Sequence, residues 1–60
     1  MTFYCITYDI HIELKENTQK RFFCFAKDEK QAIIRFCATT GRSSKYIISI
    51  RKVDYNEFGR

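Results

Sequence analysis

Proline and tryptophan are absent from this 60-residue chain, and glycine occurs only at Gly41 and Gly59. With so few breakers there is no linker, no low-complexity tract and no internal repeat to divide it. We therefore expect one domain over residues 1–60, with 54–60 as a short tail that either packs back or frays. No apolar run approaches the roughly 20 residues that span a bilayer, and no secretory pattern follows Met1. The expectation is a cytoplasmic protein with no membrane partner. The opening Met and compact patterning suggest an entire small gene product.

Histidine is equally scarce. His11 is the only one, and the three cysteines, Cys5, Cys24 and Cys37, are spaced by 19 and 13 residues with no paired motif. That is not a zinc-ligand spacing, so no metal is expected. An odd count without an export signal fits a reducing compartment, where cysteine serves as a small buried hydrophobe. There is also no phosphate loop and no nucleophile elbow. Catalysis needs a nucleophile, a base and an orienting group in a cleft, and the pairings on offer, Cys5 or Asp9 with His11, lie along a single strand. We expect no enzyme, no cofactor and no small-molecule substrate.

What the chain has is aromatics. Six Phe and four Tyr make up 17% of it, within a hydrophobic fraction of 45%. A domain this small buries only about 60% of its unfolded surface, so large side chains must supply the core.

One segment carries a start signal, an apolar stripe and a stop signal together. In Asp28–Gly41, Asp28 suits the helix N-cap and Gln31 stands three residues on, as in a capping box. Ala32, Ile33, Phe36 and Cys37 fall on one face of a 3.6-residue helix, and Gly41 suits a left-handed C-terminal cap. The remainder reads as strand. From Phe3 to Leu14 the chain alternates, with Tyr4, Ile6, Tyr8, Ile10, Ile12 and Leu14 on one face. A polar stretch, Lys15–Gln19, leads to a second strand, KRFFCFA, and a hairpin is expected. Its preferred register sets Ile12 opposite Phe22, Ile10 opposite Cys24 and Tyr8 opposite Ala26. On the other face Glu13 meets Arg21, His11 meets Phe23 and Asp9 meets Phe25. Sliding by one position would bring Lys15 against Lys20, a like-charge pair. In this register Cys5 and Cys24 stand about 16 Å apart, too far for a disulfide. The third strand is KYIISIRKV, with Tyr46, Ile48 and Ile50 inward and Ile47, Ser49, Arg51 and Val53 outward.

The predicted fold is α+β: a two-layer ββαβ unit whose three-stranded antiparallel sheet, in order 2-1-3, is covered on one face by a single helix. Order 1-2-3 is the alternative. The other face has little to cover it except Tyr55 and Phe58 of the tail. It is expected to carry Phe3, His11, Phe23, Phe25, Ile47 and Val53 among Cys5, Thr7, Asp9, Ser49 and Arg51. An apolar surface of that kind is normally used.

Two functions are compatible with such a face. The first is a small non-enzymatic protein-binding module: a homodimer through the open face or an edge strand, or a regulator or inhibitor of a larger protein. Small basic proteins of this sort are often encoded by phages and mobile elements. The candidate contact residues are Phe23, Phe25, His11, Arg21 and Arg51. The second is an RNA- or DNA-binding accessory protein. Net charge is +4, and Lys20, Arg21, Lys27, Arg42, Lys45, Arg51 and Lys52 are available as a basic rim. The run Arg21–Ala26 followed by DEKQAI also resembles the aromatic strand and following helix of an RNA-recognition motif. The resemblance covers about half the chain and implies that Phe23 and Phe25 stack bases. It departs from the motif at Phe22, where a small residue is usual, and at Asp28, where an aromatic is.

Overall fold

Four consecutive residues of the first strand, Phe3, Tyr4, Cys5 and Ile6, are buried. Since side chains alternate along a strand, this one must be covered on both faces. The computed structural model describes residues 1–10 and 19–58, with side chains through residue 56. It places β1 (Thr2–Asp9) in the middle of a sheet of order β2-β1-β3, between β2 (Gln19–Ala26) and β3 (Ile47–Lys52), both antiparallel to it. One helix, α1 (Glu29–Thr40), packs on β1 and β2. The chain is thus the expected α+β two-layer unit in the expected strand order. A short 3-10 turn (Ser44–Tyr46) leads into β3, and a four-residue helix, α2 (Tyr55–Phe58), follows it.

The helix forms where its signals lie. Asp28 is the N-cap, and its Oδ1 accepts from the Gln31 amide at 2.8 Å. The reciprocal bond differs from a standard capping box: Gln31 Oε1 accepts from the Lys27 amide at 2.8 Å, one residue before the cap. Gly41 closes the helix at φ 74°, donating its N–H to the Cys37 carbonyl at 3.0 Å. A left-handed residue there favours glycine because it has no Cβ to clash.

Inside, Phe36 is the centre of the core. It is fully buried and meets Tyr8 and Phe22 edge-on, with ring centroids 4.9 and 5.6 Å away. Tyr4, Ile6, Ala26 and Ala32 complete the buried cluster, while Cys24, Cys37, Ile47 and Ile50 pack at its margin. Ile33 is half-buried. Arg42, counted among the candidate rim cations, is engaged within the fold instead. Its guanidinium lies 5.4 Å from the Tyr46 ring centroid and donates to the Ile10 carbonyl at 3.3 Å, tying the loop after α1 to the end of β1.

Two expectations are overturned. The first is the hairpin register. Tyr8 is opposite Lys20, Ile6 opposite Phe22, Tyr4 opposite Cys24 and Phe3 opposite Phe25, a displacement of six residues from the expected pairing. Asp9 accordingly faces Gln19, not Phe25. β1 ends at Asp9, with Ile10 in a bend, instead of running on to Leu14. The expected pairs at Ile12, Glu13 and His11 lie outside the described residues. The physical reason is overlap. In the expected register, β2 would pair with residues 8 onwards while β3 pairs with Tyr4–Tyr8, leaving no shared stretch of sheet for one helix to cover. In the observed register β1 has a neighbour on both sides from Tyr4 to Tyr8. Avoiding one Lys–Lys pair gains at most about 1 kcal/mol. Burying side chains such as Tyr4, Ile6 and Phe22 under Phe36 gains about 1.5–3 kcal/mol each. The displacement is even, so each residue keeps its expected face.

The second correction concerns β3. Thr7 pairs with Ser49 but Tyr8 pairs with Ile47, so Ile48 is the extra residue of a β-bulge. Before the bulge the facing is reversed: Ile47 packs on the core and Ile48 is exposed.

Replacing Phe36 with Ala should cost about 3–5 kcal/mol. A chain of this length has only about 3–9 kcal/mol to lose. We expect thermal unfolding to show a variant that is unfolded or melts far below wild type; melting within a few degrees of it contradicts Phe36 as the core centre. Replacing Asp28 with Ala removes the cap and should lower stability by about 1 kcal/mol, read as a lower urea midpoint at unchanged slope.

Candidate functional site

The odd-numbered residues of β1 and β2 project to the side of the sheet away from α1. Pairing arranges them in rows across three strands. Phe25 and Phe3 form one row, Phe23, Cys5 and Arg51 the next, and Arg21, Thr7 and Ser49 the third. Neighbouring strands are about 4.8 Å apart, so Phe23 and Arg51 stand on opposite margins roughly 10 Å from each other.

The first two rows make an aromatic cluster. Phe3 stacks on Phe23 at 5.8 Å with the rings 14° from parallel, and tilts against Phe25 at 4.7 Å. Phe3 itself is buried, whereas Phe23 and Phe25 are 36% and 43% exposed. Cys5 is buried although it lies on this face, because it sits on the central strand between two much larger neighbours. Asp9, expected among the exposed residues here, is also buried.

The tail contributes one more ring. After β3, the Val53 amide donates to the Phe3 carbonyl at 2.8 Å, holding the chain beside β1. Asp54 Oδ1 then accepts from the Asn56 amide at 2.9 Å, turning the chain into α2. This brings Tyr55 edge-on to Phe3 at 5.0 Å and tilted against Phe25 at 5.1 Å. The covering tail is therefore real at Tyr55, but partial: Tyr55 remains 56% exposed. The side chain of Phe58 lies outside the described ones.

The structure thus brings together four of the residues singled out in the sequence. Phe23 and Phe25 are neighbours in the cluster, and Arg21 and Arg51 flank it, both exposed. His11 lies outside the described residues. Ile47, expected on this face, is on the other. Tyr55 belongs to the site and was legible only as an aromatic in the tail, since nothing in the pattern of 54–60 fixes its direction. Among the described residues, no three His, Cys, Asp or Glu side chains converge as metal ligands, and no helix is long and apolar enough to cross a membrane. Comparison of the chain with protein-family models, curated proteins and solved structures finds no match.

All three thiols are free. In the observed register Cys5 and Cys24 lie on adjacent strands, not 16 Å apart, but they project from opposite faces of the sheet, so a bridge is still excluded. Burial pushes the Cys24 thiol above its ordinary pKa, outweighing the positive charge of Arg35, which pulls the other way. A raised pKa means less thiolate at neutral pH and slow alkylation that accelerates as pH rises. Mass spectrometry should therefore count three labelled cysteines under denaturing conditions. In the native protein Cys24 should label more slowly than a model thiol at pH 7, and Cys5 slowest of all.

Proposed function

We propose that the chain is a non-catalytic protein-binding module whose open sheet face docks on a larger protein, acting as its regulator or inhibitor. The observation that supports this reading is the cluster of Phe23, Phe25 and Tyr55, three exposed rings held against buried Phe3 on a hydrogen-bonded sheet. Rings fixed in this way lose little side-chain entropy on binding. Covering their remaining apolar area at about 25 cal/mol per Å² contributes several kcal/mol. Aromatic and arginine side chains are also the usual anchors of interfaces, and Arg21 and Arg51 stand at the margins to make polar contacts.

The test uses the purified chain as bait for proteins of its native host. A partner should be retained by wild type and lost by the double variant Phe23→Ser, Phe25→Ser and by Arg51→Glu, with the helical circular dichroism unchanged. Equal retention by the folded variants removes the open face as the binding surface. The same exposed pair could stack bases, so a random single-stranded oligonucleotide is the control. Binding that falls steeply between low and moderate salt would replace the protein-binding reading with the nucleic-acid one.

A further inference from the structure

Among the described residues the sheet has two unpaired edges, and they are built differently. The β3 edge is six residues long, is interrupted by the bulge at Ile48 and ends in Arg51 and Lys52. A bulge, charge and short length are the usual means of keeping an edge from pairing with another chain. The β2 edge is eight residues long, pairs with β1 without a register shift and carries an uninterrupted Phe22-Phe23-Cys24-Phe25-Ala26. Three of the six large apolar side chains that the described residues leave exposed border it: Met1, Phe23 and Phe25. Between β2 and α1 an open cleft of about 470 Å³ is lined by Met1, Phe22, Cys24 and Phe25 below and Arg35, Ala38 and Thr39 above.

We infer that the β2 edge pairs with the β2 edge of a second copy of this chain, giving a two-fold dimer with one continuous six-stranded sheet. The join shares Phe23, Phe25 and Arg21 with the cluster proposed to meet a partner but leaves Tyr55 and Arg51 outside it, and the inference does not depend on the protein-binding reading above.

The strand is complementary to itself in one register in particular. A two-fold axis normal to the sheet sets each residue opposite one that projects to the same face, so the possible registers are centred on single residues. Centring on Arg21 opposes two guanidinium groups, and centring on Cys24 opposes Arg21 to Lys27. Centring on Phe22 drives Lys20 against Cys24 in the wall of the cleft. Centring on Phe23 opposes that ring to its copy, Arg21 to Phe25, Phe22 to Cys24 and Lys20 to Ala26. No like charges meet, and each arginine lies across an aromatic ring.

The helices agree with this join. α1 packs on β2 more extensively than on β1. Two helices each lying between the first and second strand from the junction would run about 10 Å apart, at the edge of the 8–10 Å range for packed helices. Ala38, exposed on the cleft side, is small enough to allow that approach. Long Arg35, beside it in the cleft wall, can keep its charged head in water.

The test is sedimentation equilibrium of the whole chain over a concentration series up to the millimolar range. The expected mass is twice the 7.2 kDa of one chain. Ala38→Arg, which obstructs the helix junction, and Phe23→Lys, which opposes two ammonium groups at the axis, should each weaken the dimer by about tenfold or more. Ile48→Lys on the opposite edge and Arg51→Glu on the open face should leave it intact. A monomer at every concentration overturns the inference. So does a dimer that survives Ala38→Arg, and so does one lost to Ile48→Lys or Arg51→Glu, which would place the contact on β3 or the open face. Should Phe23→Lys fail to fold, the exposed Ala38 position decides alone. Loss of host-protein capture by Arg51→Glu with the dimer preserved shows that dimer formation and partner capture fail independently, although they share Phe23 and Phe25.

Discussion

The central position of β1 is the constraint from which the rest of this molecule follows. A three-stranded sheet has one interior strand, and only that strand has all its backbone groups paired and both faces in contact with something. Here it is also the segment that buries Phe3, Tyr4, Cys5 and Ile6 in succession. Tyr4 and Ile6 require a helix on their side, and Phe36 meets that requirement. Phe3 and Cys5 require cover on the other side, where the described residues form no second layer. Phe3 is covered by Phe23, Phe25 and Tyr55, and Cys5 lies between Phe23 and Arg51, which explains why the open face is partly dressed instead of bare.

Whatever depended on local spacing was legible in the sequence. The helix limits were readable because Asp28, Gln31 and Gly41 each satisfy a backbone requirement within four residues of themselves. Strand facing was readable for β1 and β2 because a two-residue period is blind to which pair opposes which. The register was not readable in the same way, because it is a three-body choice. Pairing β1 with β2 in isolation favours using the long alternation to Leu14, and only the presence of β3 and α1 demands that all elements overlap. The capping bond to Lys27 in place of Asp28 shows the same limit at small scale: the residue types were right, and the partner was set by geometry.

The open face illustrates how a shared surface is divided. Phe23 and Phe25 could be named because β2 has bulky apolar residues at consecutive positions, and one helix cannot cover both faces of a strand. Arg21 and Arg51 could be named as exposed cations, but that they stand on opposite margins of one cluster depends on the registers of two different strand pairs. Tyr55 depends on a turn made by Asp54 after β3, beyond any periodic pattern. Aromatic excess in a small chain thus serves two masters: rings such as Phe36 and Phe22 close the core, while those left over collect on the far side, where they hold each other in place.

The bulge at Ile48 gives this compact unit one residue of slack. Every other described position of β3 from Ile47 to Lys52 is matched to a position of β1, so a length change there would turn a run of side chains over to the wrong face. Ile48 alone is counted by the chain and not by the sheet. Removing it would leave Tyr8 opposite Ile47 and Ile6 opposite Ile50, with inward and outward residues as they are. A protein this small has few places where its length can drift without its fold drifting too, and here that place sits on the outer edge, in view of solvent, where the cost of being wrong is lowest.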